Sequence, residues 1–193
     1  GITLVIHCAA QPSHDWAAKQ PFVDYSVNAT GTLNILESIR QNCPKAKLAF
    51  LSTNKVYGDR PNKLPLDEKR KRFEVKKNNN FFKNGINELM SIDDCKHSLF
   101  GASKLSSDIY CQEYVKYFNL KIGIFRGGCL TGPLHQGAEL HGFLNYLIKT
   151  AKENKIYKIY GYKGKQVRDN IHSEDVASAL WEFYKIKNNS GVY

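Results

Sequence analysis

Thr3-Leu4-Val5-Ile6-His7-Cys8 is a run without polar alternation, five residues of which are apolar or borderline. Such a run reads as a strand buried on both faces, the signature of a parallel sheet. Two further runs repeat it downstream: Leu48-Ala49-Phe50-Leu51-Ser52-Thr53 and Ile122-Gly123-Ile124-Phe125-Arg126. Helical spacing fills the gaps between them. Phe22, Tyr25, Ala29, Leu33, Leu36, Ile39 and Cys43 recur at steps of three and four, with Pro21 suited to a first turn and Pro44 ending the segment. A second long helix is predicted from about Ser98, with Cys111, Val115 and Phe118 on one face. Leu140, Leu144, Leu147 and Ala151 mark a third, Ile156 to Tyr160 a short strand, and Ser173 caps a last helix bearing Val176, Leu180 and Phe183. Strand–helix alternation of this kind gives βαβ crossovers and an α/β fold, a parallel sheet with helices on both faces. Ligands of such sheets bind beyond the carboxyl ends of the strands. Chemistry is therefore sought at Cys8 to His14, Ser52 to Gly58 and Arg126 to Gly132.

The chain has 193 residues, 42% hydrophobic and 24% charged, a globular composition that excludes disordered, collagen-like and coiled-coil classes. No apolar run is long enough to span a membrane. The net charge of +10 favours anionic partners such as nucleotides and phosphosugars. Five cysteines without a C-x-x-C pair argue against a disulfide or zinc framework, and a cytoplasmic setting is expected. Lys69 to Arg72 and Lys76 to Asn80 read as a solvated surface loop, with no recognised nucleic-acid motif around them. A buried-type strand that begins at once, without an initiator Met, is expected to belong to a fragment that starts mid-domain.

Five segments carry a resemblance. They are His7-Cys8-Ala9-Ala10-Gln11, then Asn28 with Gly31-Thr32, then Ser52-Thr53-Asn54-Lys55-Val56-Tyr57-Gly58, Phe100-Gly101-Ala102-Ser103-Lys104, and Arg168-Asp169-Asn170-Ile171-His172-Ser173-Glu174-Asp175. In this order they resemble the extended short-chain dehydrogenase/reductase family, whose members rework nucleotide sugars with NAD(P). The stretches Ala9 to Trp16, Ser52 to Asp59 and Gly164 to Asp169 are similar to the CDP-tyvelose (CDP-paratose) 2-epimerase branch. The resemblance implies NAD as cofactor and a nucleoside-diphosphate sugar as substrate. The reaction would be epimerisation through a transient ketone, in surface-polysaccharide synthesis. It further implies a homodimer of the full-length protein, and no nucleic-acid or membrane partner. Residues 1–133 would be the C-terminal portion of the NAD-binding domain, a Rossmann-type doubly wound parallel sheet. Residues 134–193 would be a substrate-binding region interleaved with the last Rossmann elements.

The same resemblance assigns roles. Lys104 would hold the nicotinamide ribose and Thr53 the reacting hydroxyl. Ala9, Ala10, Gln11, Asn28, Ser52, Gly127 and Gly128 would border the cofactor. Arg168 would bind the substrate diphosphate, with Cys129 and His141 also on the substrate side. No metal is implied. Two features depart from the family pattern. The glycine-rich pyrophosphate loop is absent from these residues, and the catalytic tyrosine position is Phe100, which has no titratable group. Cys129, His97, His141 or a water held by Thr53 remain as candidates to take the hydroxyl proton. A dehydratase would want Thr-Asp-Glu where Thr53-Asn54-Lys55 stands. A different epimerase and a non-catalytic binding protein stay open as alternatives.

Overall fold

The computed structural model describes residues 1–139 and 142–193. The chain packs as two compact units, one of residues 1–63, 86–127 and 180–193, the other of residues 64–85 and 128–179.

The first unit holds a four-stranded sheet. Its strands are β1 (Leu4–His7), β2 (Lys47–Leu51), β5 (Lys121–Phe125) and β8 (Gly191–Val192), ordered β1-β2-β5-β8 and parallel throughout. β2 lies between two partners, and Lys47 to Phe50 are buried without alternation. Both faces of β2 are therefore covered, as its apolar run requires. Helices α1 (His14–Lys19), α2 (Pro21–Tyr25), α3 (Gly31–Asn42) and α5 (Ser98–Phe118) belong to this unit. The core joins Leu36 and Ile39 of α3 to Leu48 and Phe50 of β2, Cys111 and Tyr114 of α5, and Ile122 and Ile124 of β5. Each fully buried aliphatic side chain here contributes about 1.5–3 kcal/mol. Gly123 has no side chain for a reason: a β-carbon there would lie 2.8 Å from the Phe183 ring.

Two lysines of this unit are buried, Lys104, described below, and Lys47. Lys47 Nζ donates to the carbonyls of Phe183 (3.2 Å), Tyr184 (2.8 Å) and Ile186, at the end of helix α7 (Ser173–Lys185). Helix ends leave such carbonyls without intrahelical partners, and a cation satisfies both them and the helix dipole.

The helix predicted from Pro21 to Pro44 is broken by a π-helical turn, Ser26–Thr30, between α2 and α3. The extra residue in that turn rotates the apolar stripe. Phe22 and Tyr25 consequently stand 90% and 52% exposed, while Asp24 and Asn28 are buried in their place. Phe118, expected on the buried face of α5, is also exposed at the helix end.

The second unit contains β3 (Leu66–Glu68) and β4 (Phe73–Val75), an antiparallel pair, with α4 (Phe81–Asn84). The basic stretch expected to be an unstructured loop is thus partly a hairpin, and Lys69 to Arg72 form its turn. Acidic neighbours explain why so basic a turn is tolerated: Lys69 meets Asp67 at 3.2 Å, Arg72 meets Glu74 at 3.6 Å, and Lys163 and Lys165 converge on Glu68. Strands β6 (Cys129–Thr131) and β7 (Asn170–His172) form a short parallel ladder, and α6 (Phe143–Lys152) precedes an irregular segment. Ile156 to Tyr160, expected as a strand, makes no ladder; it has no neighbouring strand to pair with among the described residues, and Tyr157 to Tyr160 line a cavity described below. No helix among the described residues is long and apolar enough to cross a membrane.

Candidate active site and substrate cavity

In the first unit, the residues after β1 and β2 meet the first half of α5. Lys104 is buried, and its Nζ donates to the Leu51 carbonyl at 2.8 Å while lying 4.3 Å over the Phe50 ring. An ammonium has three donors, and the Leu51 bond uses one of them. Burial lowers the Lys104 pKa to about 8, against the opposing pull of Cys111, Asp108 and Cys8. Four residues further along the same helix, Asp108 is fully buried. It accepts from Ser52 Oγ at 2.6 Å, from Gln112 at 2.8 Å, and from Arg126 Nε and Nη2 at 3.0 and 2.8 Å. Arg126 reaches on to the Tyr57 hydroxyl at 3.1 Å, and the Asp108 carboxylate raises its pKa despite burial. Nothing in the motif reading singled out Asp108 or this use of Arg126. The helical spacing from Lys104 to Asp108 was the available signal.

Asn28 ties three elements together. Its Oδ1 accepts from the Gln11 backbone N–H at 2.9 Å, and its Nδ2 donates to Ser103 Oγ (2.9 Å), Asp24 Oδ1 (3.1 Å) and the Gln11 carbonyl (3.2 Å). The π-helical turn turns this amide inward. Gln11 adds a bond from Nε2 to Asp24 at 2.7 Å. Ala9 is exposed and Ala10 half-buried at the open end of β1. Thr53 caps the 3-10 turn Asn54–Tyr57, its hydroxyl accepting from Lys55 N–H at 3.3 Å. The Gly127 carbonyl accepts from Asn54 N–H at 2.9 Å, which holds this loop against the end of β5.

Phe100 is buried, and its ring meets that of His14 edge-on, 5.0 Å between centroids. His97 is engaged elsewhere: its Nε2 lies 2.9 Å from the Val56 carbonyl and 3.5 Å from Cys95 Sγ. His7 is buried with Nε2 on Thr32 Oγ1 at 3.0 Å, and burial together with Lys104 lowers its pKa to about 4. Its unfolded value is about 6.5, so the unfolded chain takes up this proton first as pH falls. Stability is therefore expected to drop between pH 6.5 and about 4. Glu37 and Glu68, held near 2 chiefly by hydrogen bonds from Arg40 and Lys163, begin to lose their contribution only from about 4.5 downward, at the acid end of that window. Urea midpoints measured across pH 7.5 to 4 should fall less in His7→Gln than in the parent chain. Parallel curves would remove His7 as the cause.

The fit to a dinucleotide can be judged from these groups. A buried ammonium with donors to spare, beside small residues at the strand end, suits the ribose diol and the nicotinamide end. No Gly-x-x-Gly-x-x-Gly loop for a pyrophosphate occurs in the 193 residues. Among the described residues no group of three metal-binding side chains gathers.

The second unit carries Gly128, Cys129 and Arg168. Gly128 is required by packing, since a β-carbon there would lie 2.7 Å from the Asp169 carbonyl oxygen. That explains the residue without invoking a ligand. Cys129 N–H donates to the same carbonyl at 2.7 Å. Arg168 is exposed and lines a cavity of about 400 Å³ with Phe143, Tyr146, Tyr157, Tyr160 and Gln166. Aromatic walls beside a guanidinium suit a base and a phosphate group. His141 lies outside the described residues.

The profile of the NAD dependent epimerase/dehydratase family matches residues 1–192. The chain is similar to the CDP-paratose 2-epimerase of Salmonella typhi, 33% identical over 193 residues, covering 95% of this chain and 55% of that protein. It is also similar to a putative UDP-glucose 4-epimerase of Methanocaldococcus jannaschii, 30% identical, with coverages of 92% and 50%. Among solved structures, the UDP-glucose 4-epimerase of Thermus thermophilus in complex with NAD matches with a TM-score of 0.72 and 27% identity, over 100% of this chain and 55% of that one. The UDP-N-acetylglucosamine 4-epimerase of Methanobrevibacter ruminantium matches in fold with a TM-score of 0.78 at 20% identity, over 98% and 53%. The chain spans about half the length of the curated relatives it matches.

Proposed function

Because this chain belongs to the NAD-dependent epimerase/dehydratase family, we propose that it forms the nicotinamide- and sugar-facing part of a cytoplasmic enzyme that epimerises a nucleoside-diphosphate sugar. The substrate is a CDP-linked deoxysugar altered at C2, for surface-polysaccharide synthesis. The observation that carries this reading is Lys104, a buried ammonium anchored on Leu51 at the carboxyl end of β2. NAD, when bound, supplies the hydride acceptor and donor. The chain supplies the rest. Lys104 holds the ribose hydroxyls, Ala9, Ala10 and Gly127 border the ring, and Gln11, Asn28 and Ser52 fix the strand ends beneath it. Thr53 hydrogen-bonds the reacting hydroxyl. Residues 134–193 serve chiefly the substrate, with Arg168 on the diphosphate and His141 near the sugar, joined there by Cys129 from the preceding region. The loop Thr53-Asn54-Lys55 offers no carboxylate for a dehydration step, which favours epimerisation. Buried Phe100 favours one second reading, a binding protein that has lost the chemistry.

Exposed apolar side chains support a homodimer. Phe22, Tyr25, Ile109, Tyr110 and Tyr117 stand open on α2 and α5, apolar surface that a partner subunit would cover.

Arg168→Ala in the full-length gene product is expected to weaken CDP-paratose binding by about 10- to 150-fold, from charge-assisted bonds worth roughly 1.5–3 kcal/mol. NAD binding should be nearly unchanged. Calorimetry with both ligands decides the matter, and equal losses would remove Arg168 from the substrate site.

A further inference from the structure

The cavity beside Arg168 holds a carboxylate that diphosphate binding leaves unused. We propose that Glu139 reads the base of the nucleoside diphosphate and selects one with an exocyclic amino group, here cytosine. The proposal deepens the epimerase reading and rests on it. All the residues involved belong to the second unit.

Glu139 lines this cavity of about 400 Å³ together with Phe143, Tyr146, Tyr157, Tyr160 and Arg168. Its Oε1 accepts from the Tyr160 hydroxyl at 3.0 Å. That bond raises the Tyr160 pKa, so the phenol keeps its proton and directs it to the carboxylate. The pair therefore offers a ligand acceptors only: the remaining lone pairs of the carboxylate and those of the phenol oxygen. Tyr160 is itself held in place, because Gln166 Nε2 donates to its backbone carbonyl. Lys158 and Arg168 are the cations lining the same cavity, and among the described residues Glu139 makes a salt bridge with neither.

The chemistry of the bases turns this arrangement into a choice. Cytosine presents an N4 amino donor where uracil and thymine present the O4 carbonyl. A carboxylate accepts from the amino group and repels the carbonyl oxygen. Tyr146 and Tyr157, 5.9 Å between ring centroids, add an apolar face on which any base can stack. Adenine and guanine carry amino groups as well, so the choice of cytosine among them comes from the CDP-sugar reading. Arg168 takes the diphosphate, and one cavity thus holds base and phosphates by groups of opposite charge.

The test is calorimetry of the full-length gene product, loaded with NAD, against CDP, UDP, GDP and ADP. CDP is expected to bind about 5- to 150-fold tighter than UDP, the discrimination of one well-placed base contact. Glu139→Gln keeps the size of the side chain and gains an amide N–H₂ that can turn toward O4. It should weaken CDP, strengthen UDP and bring the two within about three-fold. Glu139 and Tyr160 are both exposed, so the substitution spares the core. A parent that binds UDP as tightly as CDP, or a Glu139→Gln variant that keeps the parental ratio, overturns the role of Glu139. Hydride transfer from CDP-paratose by that same parent would leave the epimerase reading standing. GDP or ADP binding tighter than CDP, with the advantage lost in Glu139→Gln, supports selection of the amino group and overturns cytosine as the base. A parent that binds none of the four and transfers no hydride from CDP-paratose overturns both readings.

Discussion

Asp108→Ala is expected to destabilise the chain by about 3–5 kcal/mol, the usual cost of removing one partner from a buried ion pair. For a chain of this size that corresponds to a fall of roughly 6–20 °C in melting temperature. The cause lies in what remains. Arg126 loses both carboxylate bonds, and its side chain is 6% exposed, so water cannot readily replace them. Ser52 and Gln112 lose an acceptor as well. The coupling can be isolated with Asp108→Leu/Arg126→Met, which replaces both charges by apolar groups of similar volume. Such replacements are often neutral. The double variant should therefore melt near the parent and well above Asp108→Ala. A single variant as stable as the parent would mean that solvent reaches Arg126, contrary to its burial. Ser52 sits at the end of β2 directly after the Leu51 carbonyl that anchors Lys104. Losing Asp108 should thus also loosen the strand end beneath the proposed nicotinamide site.

Much of the fold was legible because its strands are unusual in composition. Leu48 to Leu51 and Ile122 to Phe125 have no polar alternation, and only a strand covered on both faces tolerates that. The paired strands β1, β2 and β5 follow directly, with the crossover helices between them. The π-helical turn at Ser26–Thr30 was not legible. Periodicity counts assume 3.6 residues per turn, and one inserted residue moves Phe22 and Tyr25 to the outside while leaving their spacing from each other intact. Ile156 to Tyr160 failed for a related reason. Its Ile and Tyr residues satisfy a strand pattern, yet an aromatic cavity wall makes the same demand on side chains without any ladder. β8 and β6 were invisible because ladders of two and three residues carry too little pattern to detect.

The site divides along similar lines. Residues in local motifs, such as Lys104 after Phe100 or the pair Ala9-Ala10, could be found from neighbours in sequence. Asn28 could be found because an amide in a helix interior needs a partner. Asp108 and Arg126 are eighteen residues apart and join only after α5 packs on β5. His14 and Phe100 are further apart still, and their ring contact depends on α1 lying against α5. Chemistry assembled by tertiary packing leaves no spacing to read.

Lys104→Met should separate stability from function. The ammonium is held in an apolar setting that lowers its pKa from 10.5 to about 8, so the folded state carries a charge it would be better without. That lowering corresponds to roughly 3 kcal/mol, against roughly 1–3 kcal/mol for the bond to the Leu51 carbonyl that methionine cannot make. The variant is therefore expected to melt at or slightly above the parent. If Lys104 holds the ribose as proposed, cofactor affinity in the full-length gene product should fall about 10²- to 10⁴-fold, the loss of two charge-assisted bonds together. The pH dependence supplies an independent check. Between about pH 8 and 10.5 the unfolded parent binds this proton and the folded parent does not, so parental stability rises with pH across that window. Methionine has no such proton. The parent should therefore gain on the variant by roughly 3 kcal/mol as pH climbs from about 8 to 10.5 and end the more stable of the two. A gap that stays constant would mean the lysine is charged without cost in the folded chain. A variant that melts far below the parent would make Lys104 a structural residue first and a ribose clamp second.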